Sequence, residues 1–243
     1  MMDYNIIIVG CGGIGSALFQ DLVRTRIVKT GNVYITLIDG DRVERKNIGR
    51  QHFSLSQVGM FKAEALAVTA TKVLNLKNLY FINRYVLDVK DIETPLVKCS
   101  NTILVGCVDN HSARLIMENY IKRNNYKKTY YLDCSNGVDT GEVVAVYKES
   151  RSDDIIGSFR SEYDPNVLID KTDEKKVDQE NEVNCSNEVD EGNEQTIIAN
   201  RKAAIIALEL LQDYINSGNK ATTGIVYFKG CEIRRVSRVS EGT

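Results

Sequence analysis

Ile6-Ile7-Ile8-Val9-Gly10-Cys11-Gly12-Gly13-Ile14-Gly15-Ser16 is an apolar run that stops in a cluster of glycines and resumes with helical periodicity. Gly10, Gly12 and Gly15 fit the G-x-G-x-x-G spacing between a strand and an amphipathic helix, the latter predicted over about Ile14 to Val28. Glycines permit a tight turn and a close backbone approach. The first N–H groups of the helix have no partner within it, so they are open to a phosphate. By itself the pattern leaves NAD, a flavin and ATP open as owners of that phosphate.

The next block narrows the choice. Asp39 closes the strand Val33-Tyr34-Ile35-Thr36-Leu37-Ile38, one βα unit after the glycines, where a carboxylate can accept ribose hydroxyls. A polar stretch follows, Gly40-Asp41-Arg42-Val43-Glu44-Arg45-Lys46-Asn47-Ile48-Gly49-Arg50-Gln51, then Gly59-Met60-Phe61-Lys62. Arg50 and Lys62 supply cations. A dinucleotide offers only a pyrophosphate to hold. A triphosphate carries more charge, and its transfer chemistry is governed by positioning and electrostatics, which suits two fixed cations. A Rossmann-type NAD(P) oxidoreductase and a nucleotide-binding partner protein without turnover are the competing readings.

Strand and helix patterns alternate along the chain, which predicts a Rossmann-like doubly wound α/β sheet with a parallel nucleotide half and antiparallel strands added towards the C-terminus. Helices are expected from Lys62 to Leu74, His111 to Asn124 and Gln195 to Tyr214. Further strands are expected at 79–83, 102–108, 129–134, 142–147, 224–228 and 231–236. Asp39, Asp109 and the glycine turn all fall at carboxyl ends of predicted strands, the edge where open α/β sheets bind ligands. A polar, acidic stretch over about 150–195 reads as a mobile loop. The chain is read as one domain, 1–243, with a nucleotide half 1–135 and a carrier-facing half 136–243.

Three blocks together resemble the ubiquitin-activating-enzyme-like adenylyltransferases, the ThiF/MoeB/HesA family. They are Gly10–Ser16, Asp39–Gln51 with Gly59 and Lys62, and Val108-Asp109-Asn110-His111-Ser112-Ala113-Arg114. The resemblance covers the chain to about residue 145. It implies attack of a C-terminal carboxylate on the α-phosphate of ATP, giving an acyl-adenylate and pyrophosphate. The carboxylate would belong to a small ubiquitin-like or sulfur-carrier protein ending in Gly-Gly, or be another carboxylate substrate. It also implies that Gly10, Gly12, Gly13, Ile14, Gly15, Asp39, Asp41, Asn47, Arg50, Gln51 and Lys62 line the nucleotide site, joined by Asp109, Asn110 and Arg114. Arg50, Lys62 and Asp109 would be catalytic, with Asp109 holding Mg²⁺, in a protein that is usually a homodimer. Lys46 stands where the family usually has Ser.

Composition agrees. The chain has 243 residues, 43% of them hydrophobic and 26% charged, enough for one sizeable core. A net charge of −2 gives no electrostatic case for nucleic acid. No segment approaches the roughly 20 apolar residues of a membrane span, and the N-terminus lacks a signal-peptide pattern, so no membrane association and a cytoplasmic location are expected. The six cysteines contain no C-x-x-C pair, so no zinc is expected; Cys107 and Cys134 read as core thiols.

Several of these residues have a plainer reading as well. Asp109 could cap the helix beginning near His111, and His52 and His111 read as structural or solvated. Cys185 lies in the acidic loop, where the resemblance allows a thioester-forming cysteine. No nearby cation would lower its pKa, so it reads first as an incidental thiol.

Overall fold

The computed structural model describes residues 3–30, 32–93, 99, 101–124, 126–164, 197–217 and 223–236. Its nine-stranded sheet comprises β1 (Tyr4–Val9), β2 (Val33–Ile38), β3 (Leu79–Ile82), β4 (Asn101–Gly106), β5 (Lys128–Asn136), β6 (Thr140–Lys148), β7 (Ile155–Ile156), β8 (Gly224–Lys229) and β9 (Glu232–Val236). The helices are α1 (Gly13–Leu22), α2 (Arg26–Thr30), α3 (Lys62–Leu74), α4 (His111–Arg123) and α5 (Ile197–Ser217).

The strand order is β3-β2-β1-β4-β5-β6-β8-β9, with β7 paired to β6. β3 to β5 are parallel; β6 onwards run antiparallel. The predicted mixed α/β sheet is therefore observed. Strand order reverses direction between β1 and β4, and a crevice opens beyond the carboxyl ends of such a pair.

Both faces of the central sheet are covered, which is why β1 and β4 are buried along their whole length and carry the apolar runs Ile6-Ile7-Ile8-Val9 and Ile103-Leu104-Val105. Ile6, Ile8, Ile35, Leu37, Ile103 and Val105 meet α1, α3 and α5 on one face. Ile7, Val9, Leu104 and Tyr131 meet α4 through Met117, Tyr120 and Ile121 on the other. Successive residues alternate between the two clusters with the period of two that a strand imposes. Tyr214 of α5 stacks on Tyr130 with ring centroids 4.4 Å apart and fastens that helix over β5.

Most boundaries shift from expectation by one to three residues, and the ends of the first helix and of β4 fall furthest short. The first helix stops at Leu22 rather than Val28, because the Thr25 hydroxyl donates to the Leu22 carbonyl at 2.7 Å and Arg24 N–H turns back to Asp21, giving the backbone an alternative to the helix. β4 ends at Gly106 rather than at residue 108, although the Cys107 N–H still donates to the Val9 carbonyl at 2.7 Å, so contact with β1 continues one residue beyond it. α3 has the expected bounds. Cys134 is fully buried, as expected, whereas Cys107 is only half-buried. Most of the predicted 150–195 loop, and Cys185 with it, lies outside the described residues.

Candidate active site

The glycines of the first turn have distinct tasks. Gly10 adopts φ +89°, and a Cβ there would stand 2.5 Å from the Cys107 carbonyl oxygen. A Cβ on Gly15 would collide with the Gly10 carbonyl. These two let β1, α1 and the end of β4 close on one another. Gly12, the N-cap of α1, has nothing within 4 Å of a Cβ position and no side chain caps the helix, so this backbone faces open space at the crevice. Ile14 turns its side chain into the core and can offer the crevice only its backbone. A Cβ on Gly13 would stand 2.5 Å from the amide of Asn200 on α5, a neighbour that no local pattern in the sequence announces.

Asp39 ties this turn to the loop after β2. One carboxylate oxygen accepts from Cys11 N–H at 2.6 Å, the other from Asp41 N–H at 2.7 Å. Burial raises the Asp39 pKa while these two N–H donors oppose the rise. Each oxygen keeps a further lone pair with which a hydroxyl could be accepted.

The loop then doubles back on itself. Val43 N–H donates to Met60 carbonyl, Gly59 N–H to Val43 carbonyl and Lys62 N–H to Asp41 carbonyl, each at 2.8 Å. The guanidinium of Arg42 lies 3.9 Å over the Phe61 ring. Two residues 21 positions apart are thereby brought together: Lys62 Nζ sits 2.7 Å from Asp41 Oδ2, with the lysine side chain only 9% exposed. Tyr85 donates its hydroxyl to Asp41 Oδ1 at 2.6 Å and packs its ring under Gly40. That hydrogen bond to Asp41 is the main cause raising the Tyr85 pKa, followed by burial and by the charges of Asp41, Asp39 and Asp109. Three carboxylates from two strand ends, Asp39 and Asp41 after β2 and Asp109 after β4, thus act on one hydroxyl. Tyr85, in the irregular stretch after β3, gave no signal in the sequence.

Asn47 organises the following turn: its side-chain oxygen accepts from Glu44 N–H at 2.8 Å, and its carbonyl accepts from Arg50 and Gln51 N–H. Arg50 is exposed, and its guanidinium has no partner among the described residues. His52 N–H donates to Ser16 Oγ at 3.2 Å, which places the segment carrying Arg50 beside the first turn of α1. Gln51 Oε1 is buried without a partner.

Asp109 is exposed just beyond β4. The helix cap suggested for it belongs instead to Asn110, whose Oδ1 accepts from Ala113 N–H at 2.8 Å, so the Asp109 carboxylate is not spent on α4. Arg114 is placed differently from its neighbours. It is buried, and its guanidinium pairs with Asp133 of β5 and donates to the carbonyls of Val108 and Cys134. Arg160 completes the cluster, with Nε 2.6 Å from Asp133 Oδ2 and a second nitrogen on Glu142. Arg114 thus braces the exit of β4 behind Asp109 rather than reaching into the crevice. Arg160, alone after the apolar run Ile155–Ile156, went unmarked in the sequence.

The profile described as the ThiF family matches residues 1–224. Among curated proteins, the chain is 34% identical over 125 residues to ubiquitin-like modifier-activating enzyme 5 of Oryza sativa subsp. japonica, covering 47% of this chain and 28% of that one. It is 32% identical over 122 residues to the enzyme of the same name from Rattus norvegicus, covering 46% and 29%. The matched segment spans under a third of these relatives. Among solved structures, E. coli MccB with ATP superposes with a TM-score of 0.65 at 19% identity over 97% of this chain and 63% of that one. PaaA superposes at 0.66 and 18% identity, over 97% and 72%; both are likenesses of fold. With its glycine turn, acidic strand end and D-N-x-x-x-R segment inside the matched span, the chain is a member of the ThiF family.

Proposed function

We propose that the protein adenylates a carboxylate with Mg²⁺–ATP, most simply the C-terminal carboxylate of a small ubiquitin-like or sulfur-carrier protein ending in Gly-Gly. The observation that carries this reading is the crevice between β1 and β4. The uncapped α1 N-terminus, open Gly12, Asp39, the Lys62–Asp41 pair and Asp109 all lie at its edge. In this reading 1–135 hold the nucleotide and 136–243 face the carrier, in a cytoplasmic homodimer.

The carrier carboxylate is already ionised at neutral pH, so it attacks the α-phosphorus without a general base. A new C–O–P link forms as the bond from the α-phosphorus to the bridging oxygen breaks, and pyrophosphate leaves. Gly12, Gly13 and Ile14 N–H groups receive the phosphates, with Gly10 and Gly15 shaping the turn; Asp39 accepts the ribose hydroxyls. Arg50 and Lys62 stabilise charge that builds on the phosphates in the transition state. Asn47 and Gln51 shape the turn that presents Arg50, and Asn110 fixes the start of α4 beside Asp109. The exposed Asp109 supplies one carboxylate of the kind Mg²⁺ takes alongside substrate phosphates. Magnesium bound there would neutralise phosphate charge.

Carrier-dependent ATP–pyrophosphate exchange tests the assignment. Asp109→Ala and Arg50→Ala should each slow exchange at least about tenfold, equivalent to ~1.4 kcal/mol of transition-state stabilisation. Exchange near the wild-type rate in both variants refutes the roles.

A further inference from the structure

β4 and β5 run parallel and in register, Val105 beside Leu132 and Gly106 beside Asp133. One step further along each chain stand Cys107 and Cys134, side by side on the same face of the sheet. Cys134 is sealed in the core, whereas Cys107 is half-buried. Adjacent strands lie about 4.8 Å apart, inside the Cα separation of roughly 4.4–6.8 Å over which natural disulfides close. The pair also sits under the crevice: a Cβ on Gly15 would stand 3.3 Å from Cys107 Cβ, and the Cys107 carbonyl packs against Gly10.

We propose that Cys107 and Cys134 are a paired-thiol oxidation site whose disulfide weakens nucleotide binding in the crevice above it. With a peroxide as oxidant, the Cys107 sulfur attacks the O–O bond, giving Cys107 sulfenic acid and one water. The Cys134 sulfur then attacks the Cys107 sulfur; the S–S bond forms, the S–O bond breaks, and the second water leaves with the Cys134 proton. Two thiols are oxidised and one peroxide is reduced to two waters. Closing the bond draws the two β-carbons to about 3.8 Å from the wider spacing of neighbouring strands. That contraction pulls the exit of β4 away from α1, and Asp109 lies two residues along that exit.

The effect on affinity rests on the nucleotide reading above; the pairing of the sulfurs does not. The full chain is treated with hydrogen peroxide, alkylated and digested, and its cross-links are mapped by mass spectrometry. Mg²⁺–ATP affinity is measured by calorimetry on reduced, oxidised and re-reduced protein. A Cys107–Cys134 cross-link is expected, with a loss of ATP affinity of at least about threefold that dithiothreitol restores. Cys107→Ser, checked for native circular dichroism, should keep its affinity through the same treatment. The proposal is overturned if folded protein oxidises at Cys107 with no bond to Cys134. A cross-link that leaves affinity changed by less than about threefold overturns it equally. Failure of the reduced protein to bind ATP would fail the nucleotide reading and the affinity half of the proposal, while the cross-link map still decides the pairing.

Discussion

Replacing Asp133 by Asn tests what holds the exit of β4 in place. Asp133 is fully buried between Arg114, 4% exposed, and Arg160, 3% exposed. Glu142 contributes the second negative charge, so the cluster of two cations and two anions is neutral as built. In Asp133→Asn the cluster carries a net positive charge, and the amide NH₂ faces a guanidinium that is itself only a donor. Breaking a buried pair from one side costs roughly 3–5 kcal/mol, because the remaining charge stays desolvated. At roughly 2–4 °C per kcal/mol for a domain of this size, the melting temperature should fall by about 6–20 °C. Urea unfolding at pH 7, with the slope checked against wild type, reads the same loss as a shift in midpoint. A loss under about 1 kcal/mol would match a solvated ion pair and would refute the view that Arg114 is a brace.

The glycine turn gives a paired expectation. Gly12→Ala should fold with stability within about 0.5 kcal/mol of wild type, since nothing lies within 4 Å of the new Cβ, yet bind ATP at least about tenfold more weakly. Gly15→Ala should fail to fold, because its Cβ meets the Gly10 carbonyl; a soluble Gly15→Ala with native circular dichroism would contradict the packing described. Acid sensitivity should trace in part to Glu149, whose pKa is held at about 2 chiefly by the Tyr147 hydroxyl 2.7 Å away. Its folded pKa lies below its ordinary value of 4.5, so its contribution is complete above about pH 4.5 and lost as pH falls towards 2. Tyr147→Phe should therefore lose less stability than wild type between pH 6 and pH 3, and equal losses in urea titrations would count against that hydrogen bond.

The parallel half was legible because it is written in local code. Buried parallel strands are unbroken apolar runs, and Gly10, Gly12 and Gly15 punctuate the first of them at a spacing with one structural meaning. Lys62 and Asp41 were put in one site only by the resemblance and their pairing was not read at all, since the bonds that fold residues 41–43 back on 59–62 are main-chain and leave no side-chain signature. Arg114 shows the opposite limit. Its place in the D-N-x-x-x-R segment implied a nucleotide neighbour, but the carboxylate that claims its guanidinium is Asp133 of β5, shared with Arg160, beyond the reach of any local pattern. Tyr85 and Asn200 were hidden for the same reason: each matters through what it packs on, Gly40 and Gly13, and not through its sequence neighbours.

The switch between β1 and β4 bears on how the chain reaches its native state. Tyr4 pairs with Asn101, so the crevice is bounded by strands whose contacts close nearly the whole intervening chain, whereas β5–β6 and β8–β9 are hairpins that close locally. Contacts of long sequence separation carry the greater loop-closure cost and set the pace of folding. The hairpins can therefore assemble before the crevice exists, and under the proposed function a nucleotide would have nothing to grip until β4 has docked beside β1. Under that proposal its binding energy would act on the complete fold alone, raising the cost of global unfolding without shielding any partly folded form.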